Sequence, residues 1–186
     1  MQRSLVGSEM CIRDSPNIKE SQANKALVDA VSDMEGVAVF NLYELSQEIA
    51  FNVDEWSKII SDASAVIYQF PFYWMSAPSL LKKWQDEVFT FLSKTPAVAG
   101  KSLTVVTTTG SEYEAYRSGG RNRFTMDELL RPYQVSAIHS GMSWQTPIVV
   151  YGMGTADAGK NIAEGANLYK QRVEMLIGSS NAGNNW

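Results

Sequence analysis

Three adjacent aromatic residues, Phe72, Tyr73 and Trp74, follow an apolar run and precede a helix signal with Pro78 in its first turn. Flat rings at such a junction can stack on a planar conjugated ligand and keep water from it. In an open α/β sheet, the crevice where strands end and helices begin is where ligands bind. The competing reading is aromatic packing on a neighbouring surface. Two other segments could add to such a site. From Pro16 to Asn24 the chain leads into a helix, where the Ser21 hydroxyl and first-turn N–H groups can hold a phosphate; a plain N-cap at Ser21 is the alternative. At Thr107 to Ser111 a strand ends, Gly110 lets backbone approach a ring edge, and the threonines offer donors; an ordinary turn would also fit.

The elements needed to position these loops can be traced along the chain. Leu27, Ala30, Val31 and Met34 fall at helical spacing after Ser21, and Gly36 ends that helix. Val37 to Leu42 predicts a strand, and Val53, Trp56, Ile60 and Ala63 mark a second helix. Ala65 to Phe70 is an apolar run broken only by Gln69, as a strand covered on both faces should be. A third helix carries Leu80, Leu81, Trp84, Val88 and Leu92, and Ser102 to Thr107 forms the next strand. After a long loop, Met126 to Ala137 predicts a fourth helix. Trp144 to Tyr151 predicts a last strand with a bulge or edge at Pro147. Ile162, Ala166, Tyr169, Val173 and Leu176 close the pattern with a helix. The Gly/Ser/Asn-rich tail, residues 178–186, is expected to be disordered.

Residues 1–15 do not fit this order. They lack the apolar core of a signal peptide, and Gly7 interrupts their scattered apolar residues. The string Ser4 to Ser15 resembles the translation of a sequencing adapter joined to a reading frame; a native, partly ordered tail is the alternative. The expected organisation is therefore a non-native or disordered leader over 1–15, one domain over 16–177, and a tail. With a first strand supplied, five strands alternate with five helices. That calls for a three-layer α/β sandwich around a parallel sheet, and the count fits the strand order 2-1-3-4-5.

Composition narrows the partners. At 186 residues there is room for one well-cored domain. The net charge of −4 argues against a partner held through nucleic-acid phosphates. No apolar run approaches the ~20 residues a spanning helix needs. Cys11 is the single cysteine, so no internal disulfide can form, and a cytoplasmic location is expected. No metal site is evident. The three loops on one sheet edge suggest a flavin mononucleotide, with phosphate on the first loop and ring between the other two.

Gln69 to Asp86, and Ser15-Pro16 through Ser21-Gln22-Ala23-Asn24, resemble the flavodoxin-like NAD(P)H:quinone oxidoreductases. Thr107 to Tyr116, Asn122 to Phe124 and Glu128 to Pro132 are closer to one branch. It holds the ancillary proteins of glutathione-gated potassium efflux and the modulators of drug activity. The resemblance covers roughly Pro16 to Leu176. It implies a flavodoxin-like fold, FMN or FAD as cofactor, and NAD(P)H and a quinone as substrates that react in ping-pong order. It also implies a homodimer and, as an alternative role, regulation of a potassium-efflux antiporter from the inner-membrane surface. By the same likeness Ser21, Gln22, Ala23 and Asn24 bind phosphate and ribityl. Pro71, Phe72, Tyr73, Trp74, Met75, Thr108, Thr109, Gly110 and Ser111 line the ring. Tyr116 stands where relatives place a tyrosine that settles charge during hydride transfer, with loop packing as its other reading. Relatives carry a histidine a few residues on, where this chain has Asn122. The family usually has His-Pro where Ser15-Pro16 stands.

Overall fold

The computed structural model describes residues 8–16, 21–45 and 50–183. Its elements run β1 (Ser8–Arg13), α1 (Gln22–Asp29), β2 (Val37–Asn41), α2 (Leu42–Leu45), α3 (Val53–Asp62), β3 (Ala63–Pro71) and α4 (Ser79–Trp84). Helix α4 passes through a π-helical turn, Gln85–Phe89, into α5 (Thr90–Leu92). Then come β4 (Ser102–Thr108), a 3₁₀ turn at Tyr113–Tyr116, α6 (Met126–Leu129), α7 (Arg131–His139), β5 (Ser143–Trp144), β6 (Ile148–Val150) and α8 (Ala158–Gly183). All the strand pairs are parallel, in the order β2-β1-β3-β4-β5, with β6 also on β4.

The alternation of side chains along the central strands builds two cores. Met10, Ile12, Val66, Tyr68 and Phe70 face a layer containing Trp56, Trp84 and Tyr133. Cys11, Ile67 and Val106 face the other way, onto Leu27 and Val31 near α1 and Tyr169 and Val173 of α8. The aromatic layer is built edge to face: Trp84 meets Trp56 at 5.2 Å between ring centroids and Tyr68 at 6.0 Å.

Four sequence expectations need correction. Residues 8–13 of the expected leader form the strand β1, paired with β2 from Glu9↔Val37 to Arg13↔Asn41 and with β3 from Glu9↔Ala65 to Arg13↔Gln69. Only Met10, Cys11 and Ile12 are apolar, but strands on both sides supply the pairing that weak local propensity does not. Residues 1–7 lie outside the described residues. The fourth predicted helix is two, broken at Leu130 with Pro132 in the first turn of α7. The last predicted strand is also two, because the chain leaves the ladder at Gln145 to Pro147. Finally, α8 continues through the expected disordered tail to Gly183, and residues 184–186 lie outside the described residues.

Helix α8 lies so close to the sheet that a Cβ on Gly165 would sit 2.4 Å from Val150 Cγ2 and 3.2 Å from its Cγ1. Gly165→Ala is expected to destabilise the fold by about 1–3 kcal/mol through overpacking, despite alanine's better helix propensity. Adding Val150→Ala should recover part of the loss. Denaturant unfolding of the two single variants and the double variant measures this coupling.

Candidate functional site

The carboxyl ends of β3 and β4 and the start of α1 enclose a cavity of about 370 Å³. Ser21, Gln22, Ala23, Asn24, Pro71, Phe72, Tyr73, Thr108, Thr109 and Gly110 line it, joined by Met153, Ala158 and Ile162. Ten of the residues singled out in the sequence therefore meet at one place. It lies beside the β1–β3 junction, the point at which the strand order reverses.

Residues 17–20 of the first loop lie outside the described residues, and a buried polar chain sets the start of α1 that follows them. Ser21 caps α1, its hydroxyl accepting the Asn24 N–H at 3.3 Å. The Asn24 amide group donates to Ser21 Oγ and to Thr108 Oγ1, both at 3.1 Å, and so ties α1 to the end of β4. Behind it, Gln69 Nε2 donates to the Asn24 carbonyl at 3.0 Å. The Cys11 thiol donates to Gln69 Oε1 at 3.8 Å and accepts from the Tyr169 hydroxyl at 3.1 Å. Burial pushes that thiol up to about 11, which makes Cys11 a structural donor rather than a nucleophile.

Loop two is a strained turn held from both sides. Tyr73 and Ser76 exchange backbone hydrogen bonds of 2.8 and 3.0 Å around Trp74 and Met75. Both central residues have positive φ, 46° and 64°, the pattern of a type I′ turn that normally takes Asn-Gly. Side chains there cost roughly 1–2 kcal/mol each. Three anchors outside the turn hold it. The Phe72 N–H donates to the Thr108 carbonyl at 2.8 Å. The Tyr133 hydroxyl accepts from the Ala77 N–H at 3.1 Å and lies 3.2 Å from Ser76 Oγ. Asp14, directly after β1, accepts the Leu81 N–H at 2.8 Å and so caps α4, whose own N-cap Pro78 has no side-chain bond to offer.

The three aromatics of this turn separate. Phe72 belongs to the core and meets Tyr116 edge to face at 6.0 Å. Tyr73 lines the cavity. Trp74 is 97% exposed and Met75 47% exposed, and neither lines it. Ser111 also stands outside the wall, as does Tyr116, which is buried between Phe72 and Tyr151 and lines an adjoining cavity.

Loop three is stapled to the turn before α8. Thr109 N donates to Val150 O, Gly152 N to Ser111 O, Met153 N to Thr109 O and Gly154 N to Gly110 O, all at 2.8–2.9 Å. The threonine hydroxyls are engaged within the protein. Thr108 accepts from Asn24, and Thr109 donates to the Ser111 carbonyl at 2.8 Å. Met153 and Ile162 escaped the sequence reading because nothing in their own types signals a site. The flanking Gly152 and Gly154 were the available clue.

The cavity fits a flavin on two observations. Asn24 Oδ1 is buried at its edge with no hydrogen-bond partner among the described residues, and a ligand N–H or O–H would satisfy it. A Cβ at Gly110 would project into open space, so the backbone there is clear for a ring. The first-turn N–H groups of α1 suit the phosphate.

Asp14 gives this arrangement a pH dependence. The side chain is fully buried (0% exposed), and burial pushes its carboxyl up to about 6 although the Leu81 N–H and the Tyr43 hydroxyl both stabilise the anion. The folded state holds the proton more tightly than the unfolded chain, whose ordinary value is 3.8. Stability tied to this group is therefore present below that value and is lost as pH rises through about 6. Asp14→Asn keeps an acceptor for Leu81 without the charge. It is expected to be more stable than the parent by about 1–3 kcal/mol above pH 7, with the difference vanishing in acid. Urea unfolding across the pH range tests this.

The comparisons with known proteins agree with the geometry. General stress protein 14 of Bacillus subtilis (strain 168) is 35% identical over 164 residues, covering 86% of this chain and 93% of its own length. The glutathione-regulated potassium-efflux system ancillary protein KefG of Pectobacterium atrosepticum is 34% identical over 140 residues, 73% of this chain and 76% of its own. Among solved structures, general stress protein 14 of Treponema denticola in complex with FMN superposes with a TM-score of 0.83 at 27% identity, over 91% of this chain and 99% of that one. An NADPH-quinone reductase from P. pentosaceus gives 0.77 at 26% identity, over 89% and 97%. The family model described as the flavodoxin-like fold matches residues 10–173, and the chain belongs to that family.

Proposed function

We propose that this chain is a flavin-dependent NAD(P)H:quinone oxidoreductase that uses FMN and admits the nicotinamide and the quinone to one pocket in turn. The observation that carries the reading is the partnerless, buried Asn24 Oδ1 on a cavity built from the starts of α1 and loops two and three. An FMN-bound structural relative and a relative titled NADPH-quinone reductase support it. A bound flavin would supply the two-electron redox chemistry. The protein's share is placement. Ser21, Gln22, Ala23 and Asn24 hold phosphate and ribityl, Tyr73 and Pro71 border the ring, and Gly110 keeps its edge clear. Trp74 and Met75 form a projecting apolar rim that a second copy of the chain would cover, in keeping with a homodimer. Tyr116, packed behind Phe72, would support the ring side from outside the cavity.

A second reading has its own support. The relatives named as potassium-efflux ancillary proteins favour a regulatory role beside an antiporter. Among the described residues no helix is long and apolar enough to cross a membrane. Attachment would therefore run through the partner. Potassium-efflux measurements with and without the protein distinguish the two roles.

Purified protein supplied with FMN is expected to be yellow, to bleach with NADPH and to recolour with menadione. Asn24→Ala should weaken FMN binding at least tenfold, about 1.4 kcal/mol, and a colourless protein that never binds FMN would remove the reading.

Ser15 adds a further test. It is 2% exposed and directly follows Asp14 at the carboxyl end of β1, where relatives by resemblance carry histidine. By that resemblance a histidine at this position would touch the cofactor. Ser15→His is then expected to tighten FMN binding severalfold in a fluorescence-quenching titration; an unchanged or weaker affinity would count against that reading.

A further inference from the structure

Beside the flavin cavity, on the far side of Tyr116, lies a larger groove of about 660 Å³ that the function above leaves unused. Tyr116 joins the two. Its ring packs on Phe72, which lines the first cavity, and itself lines the second. The floor of the groove is apolar, with Ile148 buried on the edge strand β6. Tyr113 and Tyr151, edge to face at 5.2 Å, supply aromatic surface. Burial, with Tyr113 and Asp127 nearby, pushes the Tyr151 phenol up to about 12, so it stays a neutral hydrogen-bonding group.

The charges lining the groove are cationic on balance, although the overall charge is −4. Arg117 and Arg172 both line the groove, and neither belongs to an ion pair among the described residues. Arg117 lies over the Tyr113 ring at 5.4 Å, and Arg172 donates to the Thr146 carbonyl at 2.9 Å. Each is held in place through part of its guanidinium, with other donors left for an anion. Asp127 is the one carboxylate among the lining residues. Aromatic surface, two guanidinium groups and one carboxylate match a base, phosphates and ribose hydroxyls.

We propose that this groove binds the phosphoadenosine end of the pyridine nucleotide, with Arg117 and Arg172 on its phosphates, Tyr113 and Tyr151 against adenine and Asp127 accepting from ribose. The proposal rests on the oxidoreductase reading for its biological sense and names the substrate side of the same site. The 2′-phosphate adds two negative charges that two guanidinium groups can meet, so NADPH is favoured over NADH.

The test is calorimetric titration of the FMN-supplemented protein with 2′,5′-ADP and, separately, with 5′-AMP. Binding of 2′,5′-ADP at least tenfold tighter than 5′-AMP is expected, weakening as salt rises. Arg117→Ala and Arg172→Ala should each lower 2′,5′-ADP affinity tenfold or more, leave FMN affinity unchanged, and raise KM for NADPH without changing kcat. Arg117→Lys, which keeps charge without the planar fork, should recover only part of the loss. Equal 2′,5′-ADP affinity in parent and alanine variants, or no 2′,5′-ADP binding by protein that holds FMN, would overturn the proposal. Failure to bind FMN would instead remove the flavin reading, and because the 2′,5′-ADP titration needs no turnover it still decides the groove.

Discussion

The pairing of β1 between β2 and β3 is the constraint on which the site depends. That six-residue strand occupies the position where the order of the sheet reverses, and the first and second of the three loops at the cavity are referred to it. Directly after it, Asp14 N donates to the Gln69 carbonyl at 2.9 Å, and the Asp14 carboxylate reaches across to cap α4. On the opposite face, Cys11 starts the polar chain that runs through Gln69 to Asn24. If β1 slipped by one residue, the period-2 alternation would exchange the two faces. Cys11 would then enter the aromatic layer, and Gln69 would lose its thiol donor.

The site is tightly bonded around the cavity and strained where it projects. Asn24 is fixed by three partners from α1, β3 and β4. Loop three is bonded to the turn before α8 along its length. The Trp74–Met75 turn has the opposite character, with two side-chain-bearing residues in a conformation suited to glycine and both exposed. Such a turn persists because Thr108, Tyr133 and Asp14 hold its flanks, each from a different element. The cost is local, and it sets a broad aromatic surface above the carboxyl edge of the sheet.

Much of this was readable from residue types, and the rest failed for identifiable reasons. Apolar runs such as Ala65 to Phe70, interrupted only by Gln69, declared buried parallel strands, and the strand–loop–helix junctions gave the edge at which the cavity lies. The loops at Ser21, Phe72 and Gly110 were found because glycine, aromatic and capping residues have few alternative uses there. β1 was not legible because Glu9 and Arg13 flank only three apolar residues, and two neighbouring strands supply its stability. The split at Leu130 and the gap before Ile148 are proline effects on an otherwise unbroken pattern. Asp14 and Tyr133 had no local signal at all, since their partners lie 67 and 56 residues away. Trp74 read correctly as a loop aromatic, but its outward direction follows from positive φ, which no residue of its type announces.

Tyr116 shows why the two cavities should be considered together. Its ring separates them, in contact with Phe72 on one side and Tyr151 on the other. A proton donor to a flavin held in the first cavity would have to line that cavity, and Tyr116 lines the other one. The geometry therefore favours an indirect part, in which Tyr116 fixes Phe72 from behind while its other face borders the groove. A ligand seated in the groove would press on the same ring that supports the cofactor cavity.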